Sequence, residues 1–221
     1  FTPVTKFDYT VLPGTASHEP YGAGCYQSAR SFYEQFPSTA NDLSNKTILA
    51  ILNGAGGYTT VPVPAATLTM PTGAGLALGD DQVSAAIALP FTFDYAGGST
   101  NQIFVDSNGS ILLNVTGAST IGGNANALLS GTSHRIAAAM QDLLPDGVTN
   151  VANVFVEPDP ANPTGVFLIT WVNVPCYNTT PAPVPATSTF QIALIDGGGA
   201  DTFELRYQTL TNDSDSNTGI A

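Results

Sequence analysis

A short run around an Asn-Gly pair constrains the fold of this chain more than any other feature. Ile103 and Val105 alternate with Phe104 and Asp106, Ser107-Asn108-Gly109 follow as a turn, and a second apolar run begins at Ile111. Asn and Gly both tolerate the positive φ that tight hairpin turns require, so this pair between two β-rich runs is a strong hairpin signal. Residues 102–113 are therefore predicted to form a β-hairpin.

The same alternation returns at 166–174, 189–195 and 202–208, which predicts an all-β chain folded as an antiparallel β-sandwich or barrel. Residues 124–130 and 134–144 are the best helical segments, although 135–139 suit a buried strand equally well. Alternation predicts that six side chains contribute to one sandwich core: Ile169, Trp171, Phe190, Ile192, Phe203 and Leu205.

The charge of the chain restricts its partners and its compartment. Seventeen acidic and five basic residues give a net charge of −12. Such a surface cannot hold nucleic acid by counterion release, and it is repelled by anionic membranes. No apolar run approaches the ~18 residues of a membrane-spanning helix. The polarity comes instead from Thr, Ser, Asn and Gly, which is typical of secreted β proteins and predicts an extracellular or cell-surface location.

Two features of secreted proteins can be assigned to particular residues. Cys25 and Cys176 are the only cysteines, and they form either a disulfide, which we favour, or two separate buried thiols. N-x-S/T sequences are acceptors for glycosylation or chance matches in an Asn- and Thr-rich chain; they occur at Asn45, Asn108, Asn114, Asn178 and Asn212.

Several motifs resemble the nidogen-like extracellular β domain. They are residues 89–93, 103–111, 135–137 with Asp142-Leu143, 169–175, 190–198 and 203–207. A Tyr-Gly-x-Gly-Cys segment precedes related bacterial secreted modules, as residues 21–25 do here. The resemblance covers residues 67–221 well and 1–66 loosely, which implies an N-terminal β segment (1–66) that packs on or extends a nidogen-like sandwich (67–221). Met140-Gln141 stand where the family usually carries an aromatic residue. The family has no known shared catalytic residues to carry over.

The sequence offers no convincing combination of catalytic residues. Ser133 and His134 are adjacent, but neighbouring side chains on an extended chain point in opposite directions, and no nucleophile-elbow motif surrounds them. His18 is isolated. Asp80-Asp81 are unsuited to glycoside hydrolysis, since sequence neighbours rarely lie across a sugar from one another. We expect that the protein is not an enzyme.

The best metal-ligating pattern lies near the C-terminus. Asp213, Asp215 and Asn217 place oxygen ligands at alternate positions before Gly219, a pattern that suits Ca²⁺. The glycine comes one residue later than in calcium loops and no Glu follows, so a polar solvated turn is the favoured interpretation and a calcium site is the alternative. A weaker second site would combine Asp80, Asp81 and Asp106. No other cofactor is expected.

Residues 1–12 are predicted to form an alternating strand in which Phe7, Tyr9 and Val11 share one face. Such a strand pairs either within its own sheet or with a sheet edge of the next subunit, and the second case would give a filament. The leading hypothesis is a noncatalytic extracellular structural or adhesion module, a subunit of a surface layer, matrix or filament, whose partners are copies of itself or other extracellular proteins. The alternative is a carbohydrate- or calcium-binding module with glycans as partners.

Overall fold

The structure is a computed structural model that describes residues 32–36, 41–53, 56–114, 117–119, 134–145, 153–177, 187–211 and 218–220. Within these ranges the chain forms twelve strands and no helix. They are β1 (Glu34–Phe36), β2 (Lys46–Leu52), β3 (Tyr58–Val63), β4 (Ile87–Tyr95), β5 (Gly98–Asp106), β6 (Ser110–Leu113), β7 (His134–Ala137), β8 (Val154–Asp159), β9 (Asn162–Pro175), β10 (Thr187–Ile195), β11 (Thr202–Thr209) and β12 (Thr218–Ile220).

The strands form two main antiparallel sheets, and β1 pairs with β12 in a small third one. One main sheet has six strands in the order β3-β2-β11-β10-β9-β8, and the other has four in the order β4-β5-β6-β7. Buried side chains from both main sheets make one continuous core, for example Ile103 and Ile111 from one and Ile192 and Leu205 from the other. The predicted all-β sandwich is confirmed.

The hairpin predicted at 102–113 is the β5–β6 hairpin. Asp106 pairs with Ser110, and the three residues between them form the turn. Gly109 has a φ of 87°, and a Cβ atom on it would lie 2.1 Å from the carbonyl oxygen of Ala139. The amide groups of Ala138 and Ala139 both donate to the carbonyl of Gly109. This turn therefore requires glycine both for its backbone conformation and for the close approach of the loop after β7.

The six residues predicted for the core are all buried in it, which confirms that prediction. Trp171 and Phe190 come from the neighbouring strands β9 and β10 and stack with ring centroids 4.9 Å apart. The Trp171 indole Nε1 donates to the carbonyl of Ser107, 3.3 Å away, and so reaches the β5–β6 turn in the other sheet.

The helix expected at 134–144 is wrong, and the alternative of a buried strand at 135–139 is the better description. Residues 134–137 form β7, which pairs with β6 through Arg135 and Ile136. Ile136 and the four residues after it are all at least 97% buried, so this run shows no alternation between an inner and an outer face. Residues 124–130 lie outside the described part of the chain.

The described part of segment 1–66 extends the main sheet. β2 pairs with β11 along Thr202–Tyr207, and β3 pairs with β2. The aromatic ring of Phe32 stacks on Phe203 and meets Tyr58 edge-on. Residues 1–12, with the proposed assembly face of Phe7, Tyr9 and Val11, lie outside the described residues.

Proline occurs in three of the four outer strands of the two main sheets. Pro62 lies in β3, Pro158 in β8 and Pro90 in β4, whereas β7 has none. Proline lacks the amide hydrogen that a further strand would need, and it is one of the features by which natural sheets prevent edge-to-edge pairing. The sequence therefore opposes strand addition at these three edges.

The hydroxyl of Tyr207 joins the two main sheets by donating to the carbonyl of Ala138, 2.8 Å away. Burial raises the pKa of Tyr207 well above its ordinary value, and the nearby charge of Glu34 raises it further. Above about pH 10 the unfolded chain loses this proton while the folded chain keeps it, so the free energy of unfolding falls as pH rises.

We expect urea unfolding between about pH 8 and pH 11 to show this loss of stability, and Tyr207→Phe to reduce its slope. The variant should cost about 1–2 kcal/mol at neutral pH, since a buried carbonyl loses its donor. Tyr177→Phe, at a tyrosine that is 37% exposed, is the matched control. Equal alkaline slopes for wild type and Tyr207→Phe would contradict the assignment.

Candidate functional site: an acidic cluster beside a buried turn

Three carboxylates meet near the β5–β6 turn. Asp80, Asp81 and Asp142 each place an oxygen atom within 4.8 Å of the other two. Asp80 and Asp81 are exposed and Asp142 is half-buried, so the cluster faces solvent. Carboxylate oxygens are the ligands that hard cations prefer, and Ca²⁺ takes six to eight of them. A cation here would need further oxygens beyond one from each of these residues.

Asn108 holds the two halves of the cluster together. Its side chain is fully buried, its Nδ2 donates to Oδ1 of Asp81 at 2.8 Å, and its Oδ1 accepts from the amide of Leu143 at 2.8 Å. The Asp81 backbone has a φ of 49°, in the left-handed region. Because Leu143 follows Asp142, the two bonds fix Asp81 and Asp142 side by side.

Asp106 is not part of this cluster, contrary to the second cation site expected from Asp80, Asp81 and Asp106. Its carboxylate is fully buried, and Oδ2 accepts from Nη1 of Arg135 at 2.8 Å. Oδ1 accepts from the amide of Asn108 and from the hydroxyl of Ser119. Its lone pairs are committed to an ion pair and to the turn, and Asp142 takes its place in the cluster.

The comparisons decide the family. The family model described as "NIDO related" matches residues 51–221, which is more than three quarters of the chain. The chain belongs to the nidogen-related family. Comparisons with curated proteins and with solved structures found no match. Nidogen-like domains are typically noncatalytic, and membership in this family indicates an extracellular domain. The described residues include no helix long and apolar enough to span a bilayer.

In the nidogen-related chain, only some of the asparagines predicted as glycosylation acceptors are exposed at the surface. Asn45 and Asn114 are exposed and have φ values of 59° and 70° at turns. Asn108 is completely buried and donates from Nδ2 to Asp81 and Ser119, so the folded protein cannot present it for glycosylation. Asn178 and Asn212 lie outside the described residues, as do the predicted calcium ligands Asp213, Asp215 and Asn217.

Cys176 lies where the two main sheets of this nidogen-related domain meet. Its backbone forms a β-bridge with Leu143, and its Sγ lies 3.5 Å from Oε1 of Gln141. Cys25 is outside the described residues, so the disulfide stays a prediction. Intact mass after alkylation under denaturing, non-reducing conditions is expected to show no added alkyl group, whereas two added groups per chain would contradict it.

His134 is exposed, and its ring lies 5.0 Å from that of Tyr95. Ser133 and His18 lie outside the described residues.

Sequence reasoning missed two parts of the acidic cluster: the role of Asn108 in holding it together, and Asp142 as its third carboxylate. Both depend on a contact between the β5–β6 turn and the loop after β7. The adjacent pair Asp80-Asp81 was the only local signal of the cluster.

Proposed function

We propose that this nidogen-related domain is a noncatalytic structural or adhesion module outside the cell, which assembles with copies of itself or with other extracellular proteins. The observation that carries the proposal is the set of buried and partly buried hydrogen bonds between the two main sheets. Asp201, next to β11 in the six-stranded sheet, accepts from the amide of Asp94 in the four-stranded sheet at 2.6 Å. Tyr207 and Trp171 make further bonds of this kind to Ala138 and Ser107.

These bonds favour a scaffold role for physical reasons. A sandwich held only by apolar contacts can shift one sheet over the other, whereas directional bonds at several positions fix their relative placement. Among the described residues, every buried side-chain nitrogen or oxygen has a hydrogen-bond partner. Asp106 and Arg135, which are chemically able to serve in catalysis, are instead paired within the four-stranded sheet, and Asp201 is engaged between the sheets. Family membership supports the same conclusion.

Size-exclusion chromatography with light scattering, combined with negative-stain imaging, tests the proposal. The intact chain is expected to show a mass above that of the 22.7 kDa monomer, or extended assemblies, in a concentration-dependent manner. A monomer mass at every concentration, together with no retention on extracellular matrix proteins immobilised as bait, would contradict it.

The alternative is a calcium- or carbohydrate-binding module, and the observation that favours calcium is the grouping of Asp80, Asp81 and Asp142. The same measurements with Ca²⁺ and with EDTA separate the two cases. Calcium binding predicts a higher melting temperature in Ca²⁺, which Asp81→Asn and Asp142→Asn would abolish and Asp159→Asn would not. An assembly unaffected by EDTA favours the scaffold function alone.

A further inference from the structure

One segment crosses the outer face of the six-stranded sheet, the face that points away from the four-stranded sheet. We call residues 64–73 the strap. The Ala66 amide donates to Oγ1 of Thr47 in β2, and the Thr69 carbonyl accepts from Nε2 of Gln191 in β10. The amides of Thr72 and Gly73 donate to the carboxylate of Glu157 in β8. The strap therefore runs across the sheet from β2 to β8.

The strap leaves a second part of this outer face open. Leu49 pairs with Val61 on one side and with Glu204 on the other, so the three side chains share a face. Ile51 and Ile195 lie one row further along this face, joined through Thr202. Val61 is 38% exposed, and Leu49, Ile51 and Ile195 are half-buried. We call these four apolar residues and Glu204 the open face.

The charged side chains beside the open face compensate each other, in a strongly acidic chain. The outward-facing charged side chains of β2, β3 and β11 are Glu204 and Arg206, and they form an ion pair with Nε 2.6 Å from Oε2. The whole chain carries a net charge of −12. Two open faces that meet bring apolar groups and a compensated ion pair together, so their contact adds little like-charge repulsion to that of the whole chains.

We infer that the open face is the surface on which a second copy of this chain docks, face to face about a two-fold axis. A two-fold contact is self-complementary, so Glu204 of one copy can face Arg206 of the other while Val61 and Leu49 meet their equivalents. Pro62 opposes strand addition at the β3 edge, so a contact on this side of the molecule would use the face rather than that edge. The inference rests on the proposed function, since it names the surface for self-association.

Sedimentation equilibrium of the intact chain tests this surface, with Val61→Glu and Val61→Lys as the two variants. Both place a charge within the apolar contact, and each is expected to raise the dimer dissociation constant at least about tenfold. Opposite charges are compared because a simple change in net charge would weaken association for Glu and strengthen it for Lys. Asn101→Glu, at an exposed position of β5 in the other sheet, is the matched control and should leave the constant unchanged. Equal melting temperatures would show that the variants are folded.

The outcomes separate this inference from the proposed function. Dissociation by both Val61 variants but not by Asn101→Glu supports the open face. Association that survives both Val61 variants overturns the open face and leaves self-assembly intact. A wild-type chain that stays monomeric, even at a high salt concentration that screens its charge, overturns the open face and also the self-assembly part of the proposed function.

Discussion

Replacement of Trp171 by Ala is expected to lower the free energy of unfolding by about 3–5 kcal/mol. The indole is completely buried, stacks on Phe190 and donates a hydrogen bond to Ser107 in the opposite sheet. The substitution opens a cavity in the middle of the sandwich and leaves the Ser107 carbonyl without this donor. Lost packing and the lost hydrogen bond therefore both lower the free energy of unfolding.

Chemical denaturation followed by far-ultraviolet circular dichroism measures this loss, because Trp171 is the only tryptophan and its fluorescence disappears with it. Trp171→Phe keeps an aromatic ring against Phe190 and should cost clearly less than Trp171→Ala. Tyr177→Ala, at an aromatic residue that is 37% exposed, is the matched surface control and should cost under about 1 kcal/mol. If Trp171→Ala lowers the free energy of unfolding no more than Tyr177→Ala does, the burial of Trp171 between the two sheets would be wrong.

The hairpins could be predicted because their determinants are local. In β11 apolar side chains alternate with polar ones, β9 and β10 contain apolar runs rich in β-branched and aromatic residues, and the β5–β6 turn carries its own Asn-Gly signal. β7 could not be distinguished from a helix, because residues 136–140 are buried on every side and show no period. The placement of β2 beside β11 depends on contacts between residues more than 150 positions apart, for which no sequence pattern exists.

The acidic cluster, too, could be predicted only in part, because it depends on contacts between residues that are distant in the sequence. Asp80 and Asp81 are adjacent and visible as a pair, whereas Asp142 joins them only through Asn108 and Leu143. Asp106 was grouped with the pair because it also precedes a turn. Its actual partner, Arg135, reaches it because β6 pairs with β7 in a particular register. Such a register is a property of the assembled sheet, and a one-residue shift would direct Arg135 to the other face.

That ion pair leads to the second large effect. Asp106→Ala is expected to lower the free energy of unfolding by about 3–5 kcal/mol, because it leaves the largely buried guanidinium of Arg135 without a counter-charge. The Asp106 carboxylate is fully buried and the Arg135 side chain is only 12% exposed, so solvent screens the pair weakly. The amide of Asn108 and the hydroxyl of Ser119 also lose their acceptor.

Asp42→Ala is the matched control for Asp106→Ala, since Asp42 also pairs with a basic residue, Lys46, but its side chain is 63% exposed. This exposed pair should contribute under about 1 kcal/mol. A double-mutant cycle of Asp106→Ala with Arg135→Met tests the coupling, because removing both charges relieves the unpaired guanidinium. We expect the double variant to be more stable than Asp106→Ala alone. Additive losses would mean that the two side chains do not interact, and the pair would then not be what holds the β5–β6 turn and β7 in register.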